Sequence, residues 1–201
     1  MIVQVSSIII AMVLWGLVHS FLASFLVKNR IEPFLGRSYR LVYNTVALIS
    51  FLPILGLTVL LPDERLYVVP TPWRWGLVLI QISAVLAAGW TLWQTDIWHF
   101  LGLRQLVGES RPFTRLIIGG AYHWVRHPLY FFSLTVVWLS PIMTVNSLTL
   151  VSGITLYFYI GAIFEERKLV AVFGDRYRQY QETVPMLIPL KLGRTPSNLA
   201  N

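Results

Sequence analysis

Cysteine is absent from the 201 residues, which excludes disulfides, thiolate metal ligands and a cysteine nucleophile. Charge is scarce as well: Asp, Glu, Lys and Arg make up 12% of the chain, about half the share usual in soluble domains. Gly119-Gly120 has neither the G-x-G-x-x-G spacing nor a preceding strand in a βαβ unit, so a Rossmann cofactor site is excluded. No internal repeat or low-complexity segment interrupts the chain. What the sequence has instead is apolar length, with a mean hydropathy of +0.64.

Five apolar runs account for it: Val3–Val27, Leu41–Leu61, Gly76–Trp93, Leu129–Thr144 and Leu148–Phe164. The first two and the last have the length and near-absence of charge expected of membrane helices, which need ~20 residues; the other two are shorter or interrupted, the fourth by Pro141. The first run lacks a basic leader and is too long for a signal-peptide core, so it reads as a retained helix. The expected fold is an all-α integral membrane helical bundle with about five transmembrane helices. It forms a single membrane domain over 1–201: a three-helix part (1–100), a second part (101–190) and a polar tail (191–201).

Sixteen basic residues against nine acidic ones would fit a nucleic-acid binder, but their placement argues otherwise. Lys28, Arg30, Arg37, Arg40, Arg104, Arg111, Arg115, Arg126, Arg167, Lys168, Arg176, Arg178, Lys191 and Arg194 fall in the segments after the first and third runs and after the last. The second loop holds only Arg65 and Arg74, and the fourth holds none. This is the positive-inside pattern of a multi-pass protein with its N-terminus outside and C-terminus in the cytosol. Membrane lipids are the expected partners, and nucleic acid is not. Trp73 and Trp75 sit where an interfacial aromatic belt belongs. After Glu166, Leu169, Val170, Phe173, Tyr177 and Tyr180 recur at helical spacing, predicting a cytosolic amphipathic C-terminal helix stopped by Pro185 and Pro189.

The chemistry concentrates at the two ends of the last apolar pair. Arg126-His127-Pro128-Leu129-Tyr130 opens it. Proline at a first helical position costs no hydrogen bond and holds His127 out of helical geometry. The free N–H groups of that helix start suit an anion, and Arg126 adds a forked donor, unless it serves as a positive-inside anchor alone. Glu165-Glu166 closes the pair, at what reads as a helix C-terminus, where the macrodipole prefers cations. Arg167 and Lys168 could neutralise these acids; alternatively, both clusters emerge on one membrane side and form a binding site. His19 lies about two turns from the end of the first helix. It is a candidate catalytic group by default, or a neutral histidine bonded to Ser20 or Asn44. His123 and His127 have a metal-like spacing, but Pro128 breaks the helix and no third ligand follows, so no metal is expected.

From Leu116 to Pro189 the chain resembles the isoprenylcysteine carboxyl methyltransferase family of integral-membrane, S-adenosylmethionine-dependent enzymes. The resemblance runs through Gly120-x-Tyr122, Arg126-His127-Pro128-x-Tyr130, Glu165-Glu166-x-x-Leu169, Phe173-Gly174-x-x-Tyr177-x-x-Tyr180 and Val184-Pro185-x-x-x-Pro189. It implies a methyltransferase whose part 101–190 holds the cofactor S-adenosylmethionine at the cytosolic face. Tyr122, His127, Pro128, Leu129, Tyr130, Glu165 and Glu166 would form the pocket and Leu116 would line its approach; Arg126, His127 and His19 are the catalytic candidates. Family members that methylate a prenylated carboxylate carry an arginine where this chain has Gly161, which weakens that acceptor. The N-terminal half is similar to methanethiol S-methyltransferases at His19-Ser20-x-x-Ala23, Lys28, Arg37-Ser38-Tyr39 and Leu101-Gly102-Leu103-Arg104-Gln105. The methyl acceptor stays open between a small thiol, an isoprenylcysteine-like or other lipidic molecule, and a lipid amine. A non-catalytic binding or accessory protein on the same scaffold is the remaining alternative. The setting reads as a bacterial inner membrane in preference to a eukaryotic endomembrane.

Overall fold

The computed structural model describes residues 1–108 and 116–190; Arg111, Arg115, Lys191, Arg194 and the 191–201 tail lie outside the described residues. Among the described residues the fold is all-α apart from one small sheet. In chain order the elements are α1 (Ile2–Leu22), α2 (Phe25–Leu35), a 3-10 turn (Gly36–Ser38), α3 (Tyr39–Leu60), β1 (Arg65–Val68) and α4 (Trp73–Gln94). Two short helices follow, α5 (Ile97–Leu101) and α6 (Leu103–Leu106). A second 3-10 turn (Gly120–His123), α7 (Pro128–Trp138), β2 (Ile142–Thr144), α8 (Val145–Phe173) and α9 (Asp175–Thr183) complete the described chain. Four helical stretches, Ile2–Leu22, Leu26–Leu60, Trp73–Gln94 and Val145–Phe173, are long and apolar enough to cross a membrane, and Pro128–Trp138 is a shorter apolar helix.

The boundaries depart from the apolar runs in three places. Val3–Val27 is two helices, because Ser24 adopts extended backbone and its side chain caps α2 by accepting from the Val27 amide at 3.4 Å. Lys28, Asn29 and Arg30 are therefore helical and not loop. The Leu129–Thr144 run stops at Trp138, and Ile142–Thr144 pairs antiparallel with Arg65–Val68. At 1.5 Å per residue α7 is about 17 Å long, roughly half the hydrocarbon thickness. The final run extends far past Phe164, so Glu165 and Glu166 lie inside α8 and not at its end. The macrodipole acts only over the last turn, so it does not govern these acids. Gly174, at φ +58°, breaks the expected amphipathic helix and starts α9.

Contacts divide the chain into two compact units. The first holds described residues 1–68, 96–108 and 142–153. Within it α1 packs on α3: Trp15 Nε1 donates to Ser50 Oγ at 3.1 Å, and Tyr39 donates its hydroxyl to the Leu22 carbonyl at 3.1 Å. Ile9, Ile10, Val13, Leu14, Leu17 and Val18 of α1 remain exposed, a surface suited to lipid and not to water. The start of α8 is fixed reciprocally, with Thr144 N donating to Ser147 Oγ at 2.8 Å and Ser147 N to Thr144 Oγ1 at 3.1 Å, a capping-box arrangement. Asn146, fully buried, gives its amide nitrogen to the Leu61 and Pro62 carbonyls at 3.3 Å.

The second unit holds described residues 69–95, 116–141 and 154–190. Here α4 packs on α7 through a cluster of Ala84, Ala121 and Phe132, with Ala87 and Ala88 alongside. Such small side chains let membrane helices approach closely. Gln81 Nε2 donates across the pair to the Val136 carbonyl at 2.7 Å. A second cluster joins Tyr177 and Tyr180 of α9 to Leu116 and Val184. Leu116 is thus a core residue of the described structure.

Candidate functional site

The two ionisable clusters at the ends of the α7–α8 pair meet in the second unit. Pro128 takes the first position of α7, and His127 is held non-helical at φ −122°, ψ 66°. That geometry turns the preceding backbone outward to pair with the chain end: Arg126 N donates to the Pro185 carbonyl at 2.9 Å and His127 N to the Met186 carbonyl at 3.1 Å. The Arg126 side chain works in the same direction. Its Nε reaches Glu166 Oε1 at 2.6 Å, Nη2 reaches Oε2 at 3.1 Å, and Nη1 donates to the Gln181 carbonyl at 2.9 Å and the Val184 carbonyl at 2.5 Å. Every nitrogen of the fork is engaged within the fold.

The adjacent glutamates have different surroundings. The Glu166 side chain is 10% exposed and takes the bidentate Arg126 fork, Gln181 Nε2 at 2.7 Å and His127 Nε2 at 3.2 Å. The Glu165 side chain is 50% exposed; it accepts from the Tyr130 hydroxyl at 3.3 Å, and His127 Nδ1 stands 3.6 Å away, beyond a hydrogen bond. Arg126, from the other end of the hairpin, neutralises the pair's buried member, while Arg167 lies 5.4 Å over the Phe164 ring. Both His127 ring nitrogens face carboxylates, which suits the ring to orienting them.

An aromatic column borders the exposed carboxylate. His127 stacks on Tyr130 with centroids 5.4 Å apart and planes 7° apart, and Tyr130 stacks on Phe158 at 4.5 Å and 16°. A side chain built on Gly161 would begin 3.9 Å from the Tyr130 hydroxyl, so glycine keeps that space open. Tyr122 stands on the 3-10 turn, and its carbonyl accepts from the Tyr180 hydroxyl. Burial first, and then the charge of Glu165, push the Tyr122 phenol up to about 12, against an opposing hydrogen bond with Thr95. Burial also raises the phenols of Tyr177 and Tyr180. All three are neutral donors at ordinary pH.

Arg126, His127, Pro128, Leu129, Tyr130, Glu165, Glu166 and Tyr122 therefore belong to one unit, with Leu116 in its α9 core. His19 belongs to the other. It stacks on Trp15 at 4.9 Å, and its Nε2 lies 2.8 Å from the Tyr43 hydroxyl. Asn44 donates to the Phe100 carbonyl at 3.0 Å. Sequence reasoning missed Gln181 and Phe158. Gln181 is legible only once α9 is known to fold back, and Phe158 is hidden in an apolar run.

The arrangement fits S-adenosylmethionine on the chemistry of its donors. Glu165 offers a carboxylate to cationic groups, the stacked rings offer a flat apolar surface, and the first-turn amides of α7 lack intrahelical acceptors and suit a carboxylate.

The chain is similar to curated proteins over part of its length. The chain is 38% identical to methanethiol S-methyltransferase 1 of Bradyrhizobium diazoefficiens over 119 residues, 55% of this chain and 42% of that protein. It is 38% identical to methanethiol S-methyltransferase of Crocosphaera subtropica over 130 residues, 59% and 51% of the two chains. With the Mycobacterium tuberculosis protein of that name the identity is 35% over 119 residues, 55% and 49%. The chain spans about half the length of the curated relatives it matches. No family model and no solved structure matches it. Over somewhat more than half of its residues, the chain is similar to proteins named methanethiol S-methyltransferase.

Proposed function

We propose that this chain is a membrane-embedded methyltransferase that draws on S-adenosylmethionine and methylates a small thiol. The observation that carries the reading is the division of labour between the glutamates: Glu166 is locked to Arg126, whereas Glu165 stands half-exposed under the Tyr130 hydroxyl beside the start of α7. A structural ion pair needs one carboxylate; the second is left for a cationic ligand. When bound, S-adenosylmethionine supplies an electrophilic sulfonium methyl. Glu165 holds cationic groups, the amides of Leu129 and Tyr130 face an anionic one, and Tyr130 with Phe158 covers an apolar body. Arg126 and His127 position this set by fixing Glu166 and the Pro185–Met186 segment.

Two observations favour a small thiol. The relatives that share more than a third of the aligned residues are named for methanethiol. Position 161 carries no cation to hold a carboxylate acceptor. Under this proposal the site faces the cytosol of a bacterium, with the N-terminus outside, as the basic residues predict.

Incubating the detergent-purified chain with methyl-labelled S-adenosylmethionine and methanethiol tests the reading. Labelled dimethyl sulfide is the expected product, with one proton released per methyl transferred. Label found only on long-chain or amine acceptors would move the assignment to a lipid-modifying enzyme. Binding of S-adenosylhomocysteine without transfer to any acceptor would leave a non-catalytic binding protein.

A further inference from the structure

A second cluster of charge, in the first unit, is not used by the methyl-transfer reading. Arg37 sits in the 3-10 turn before α3 and Arg40 in the first turn of α3. The α5–α6 segment folds onto them. Asn44 Nδ2 donates to the Phe100 and Leu101 carbonyls at 3.0 and 3.1 Å, and Arg40 Nε donates to the Phe100 carbonyl at 3.2 Å. The approach is close enough that a Cβ on Gly102 would lie 2.7 Å from the Leu41 amide nitrogen, and one on Gly108 would lie 3.2 Å from Arg37 Nη1. Arg37 and Arg40 thereby flank a segment that brings His99 and Arg104 with it.

Among the described residues Asp96 faces these cations. Asp96 accepts from the His99 amide at 3.2 Å and pairs with Arg104 Nε at 3.0 Å. Glu32 lies 3.9 Å from Lys28. Among the described residues Arg37 and Arg40 pair with no carboxylate, and Arg40 is half-buried with only its Nε engaged. The local field is positive enough to act on a neighbour: the His99 imidazole is lowered first by burial and next by Arg40, then with Arg104 also acting against the opposing Asp96. A positive-inside anchor has only to reach water. Arg40 is instead held part-way into the protein, where a charge without a counter-charge is costly.

The rim of the cluster is apolar. Phe34, Trp98, Leu106 and Val107 are exposed around it, and from Leu41 to Leu61 α3 carries no charged residue. A ligand that satisfies both surfaces has an anionic head and a hydrocarbon body. We propose that Arg37 and Arg40, backed by the α5–α6 segment, hold the headgroup phosphate of an anionic phospholipid. Guanidinium forks suit phosphate, and basic pockets beside membrane helices bind such headgroups. The site is independent of methyl transfer.

The test uses the full-length protein, delipidated in neutral detergent and titrated with short-chain phosphatidylglycerol, phosphatidylcholine or inorganic phosphate, with bound lipid counted by native mass spectrometry. Saturable binding of phosphatidylglycerol is expected, weakened roughly 30-fold in Arg37→Gln/Arg40→Gln and changed less than about twofold in the charge-matched Arg30→Gln/Arg178→Gln. Equal binding of phosphatidylcholine, or equal weakening in the charge-matched variant, would overturn the proposal. So would inorganic phosphate competing as well as the lipid, since that would mark a soluble-anion site. If the double variant does not fold, Arg37→Gln alone serves, because its exposed side chain makes no hydrogen bond to the described residues. It should weaken binding about fivefold, and unchanged affinity would refute the assignment.

Discussion

Replacing each of the adjacent glutamates by glutamine should give opposite phenotypes. Glu166→Gln removes the partner of a guanidinium whose side chain is 10% exposed and which is also held by two carbonyls. Breaking one half of a buried ion pair leaves an uncompensated charge and costs about 3–5 kcal/mol. At about 2–4 °C per kcal/mol for a chain of this size, Tm falls by on the order of 10 °C. Glu165→Gln removes a carboxylate that is 50% exposed and holds one tyrosine hydroxyl at 3.3 Å; an exposed polar contact of that kind is worth under about 1 kcal/mol. Its loss should appear in ligand binding, where a charge-assisted contact of about 1.5–3 kcal/mol corresponds to roughly 10–150-fold weaker S-adenosylhomocysteine binding. Thermal unfolding by intrinsic fluorescence and equilibrium binding, both in detergent, separate the two. Equal Tm losses in both variants, or a Glu166→Gln protein as stable as the parent, would refute the division of roles.

Other outcomes follow from the same geometry. Gly102→Ala should destabilise more than Gly120→Ala, as read by Tm. At Gly102, with φ +92°, the new Cβ meets backbone that cannot yield, whereas at Gly120, with φ +62°, it meets the movable end of Gln94, leaving mainly the left-handed backbone cost of about 1–2 kcal/mol. Gln81→Leu loses the 2.7 Å bond to the Val136 carbonyl and should cost about 1 kcal/mol, the range of interhelical bonds in membrane proteins. If the acceptor is a thiol with a pKa above about 8, the rate of thioether formation should rise with pH through that ionisation. Tyr122, pushed up to about 12, stays protonated over the same window, so Tyr122→Phe should scale that profile without moving it. A displaced profile in His19→Gln would mark His19 as the base, and an undisplaced one would confine it to packing against Tyr43.

Much of this was legible because the chain is apolar. A run without charge either spans or is buried, so the existence of α1, α3, α4 and α8 could be read from hydropathy alone. Where these helices stop could not. The break at Ser24 depends on a single side-chain cap, invisible inside an apolar run. Strand β2 depends on a partner in β1, some 75 residues earlier, and pairing over that separation leaves no local trace. The continuation of α8 through Glu165 and Glu166 was masked by their charge, which looks like a helix end until Arg126 is placed opposite. Gly174, in contrast, broke the last helix at the one position in Phe173–Tyr180 that tolerates positive φ without strain.

Arg126, His127 and Pro128 show why a short motif can be recognised in sequence while its roles stay undetermined. Pro128 starts α7 and forbids helix at His127, which frees two amides that the Pro185 and Met186 carbonyls then take. Arg126 fastens the same segment from the side-chain direction, through Val184, Gln181 and Glu166. The Tyr180 hydroxyl ties α9 to the Tyr122 carbonyl. These bonds all close the segment after α9 over the start of α7. With Arg126 and Glu166 spent on that closure, the groups still turned outward are Glu165, Tyr130 and the first-turn amides. Those are the groups of opposite character, one anionic and one donating, that a zwitterionic ligand requires.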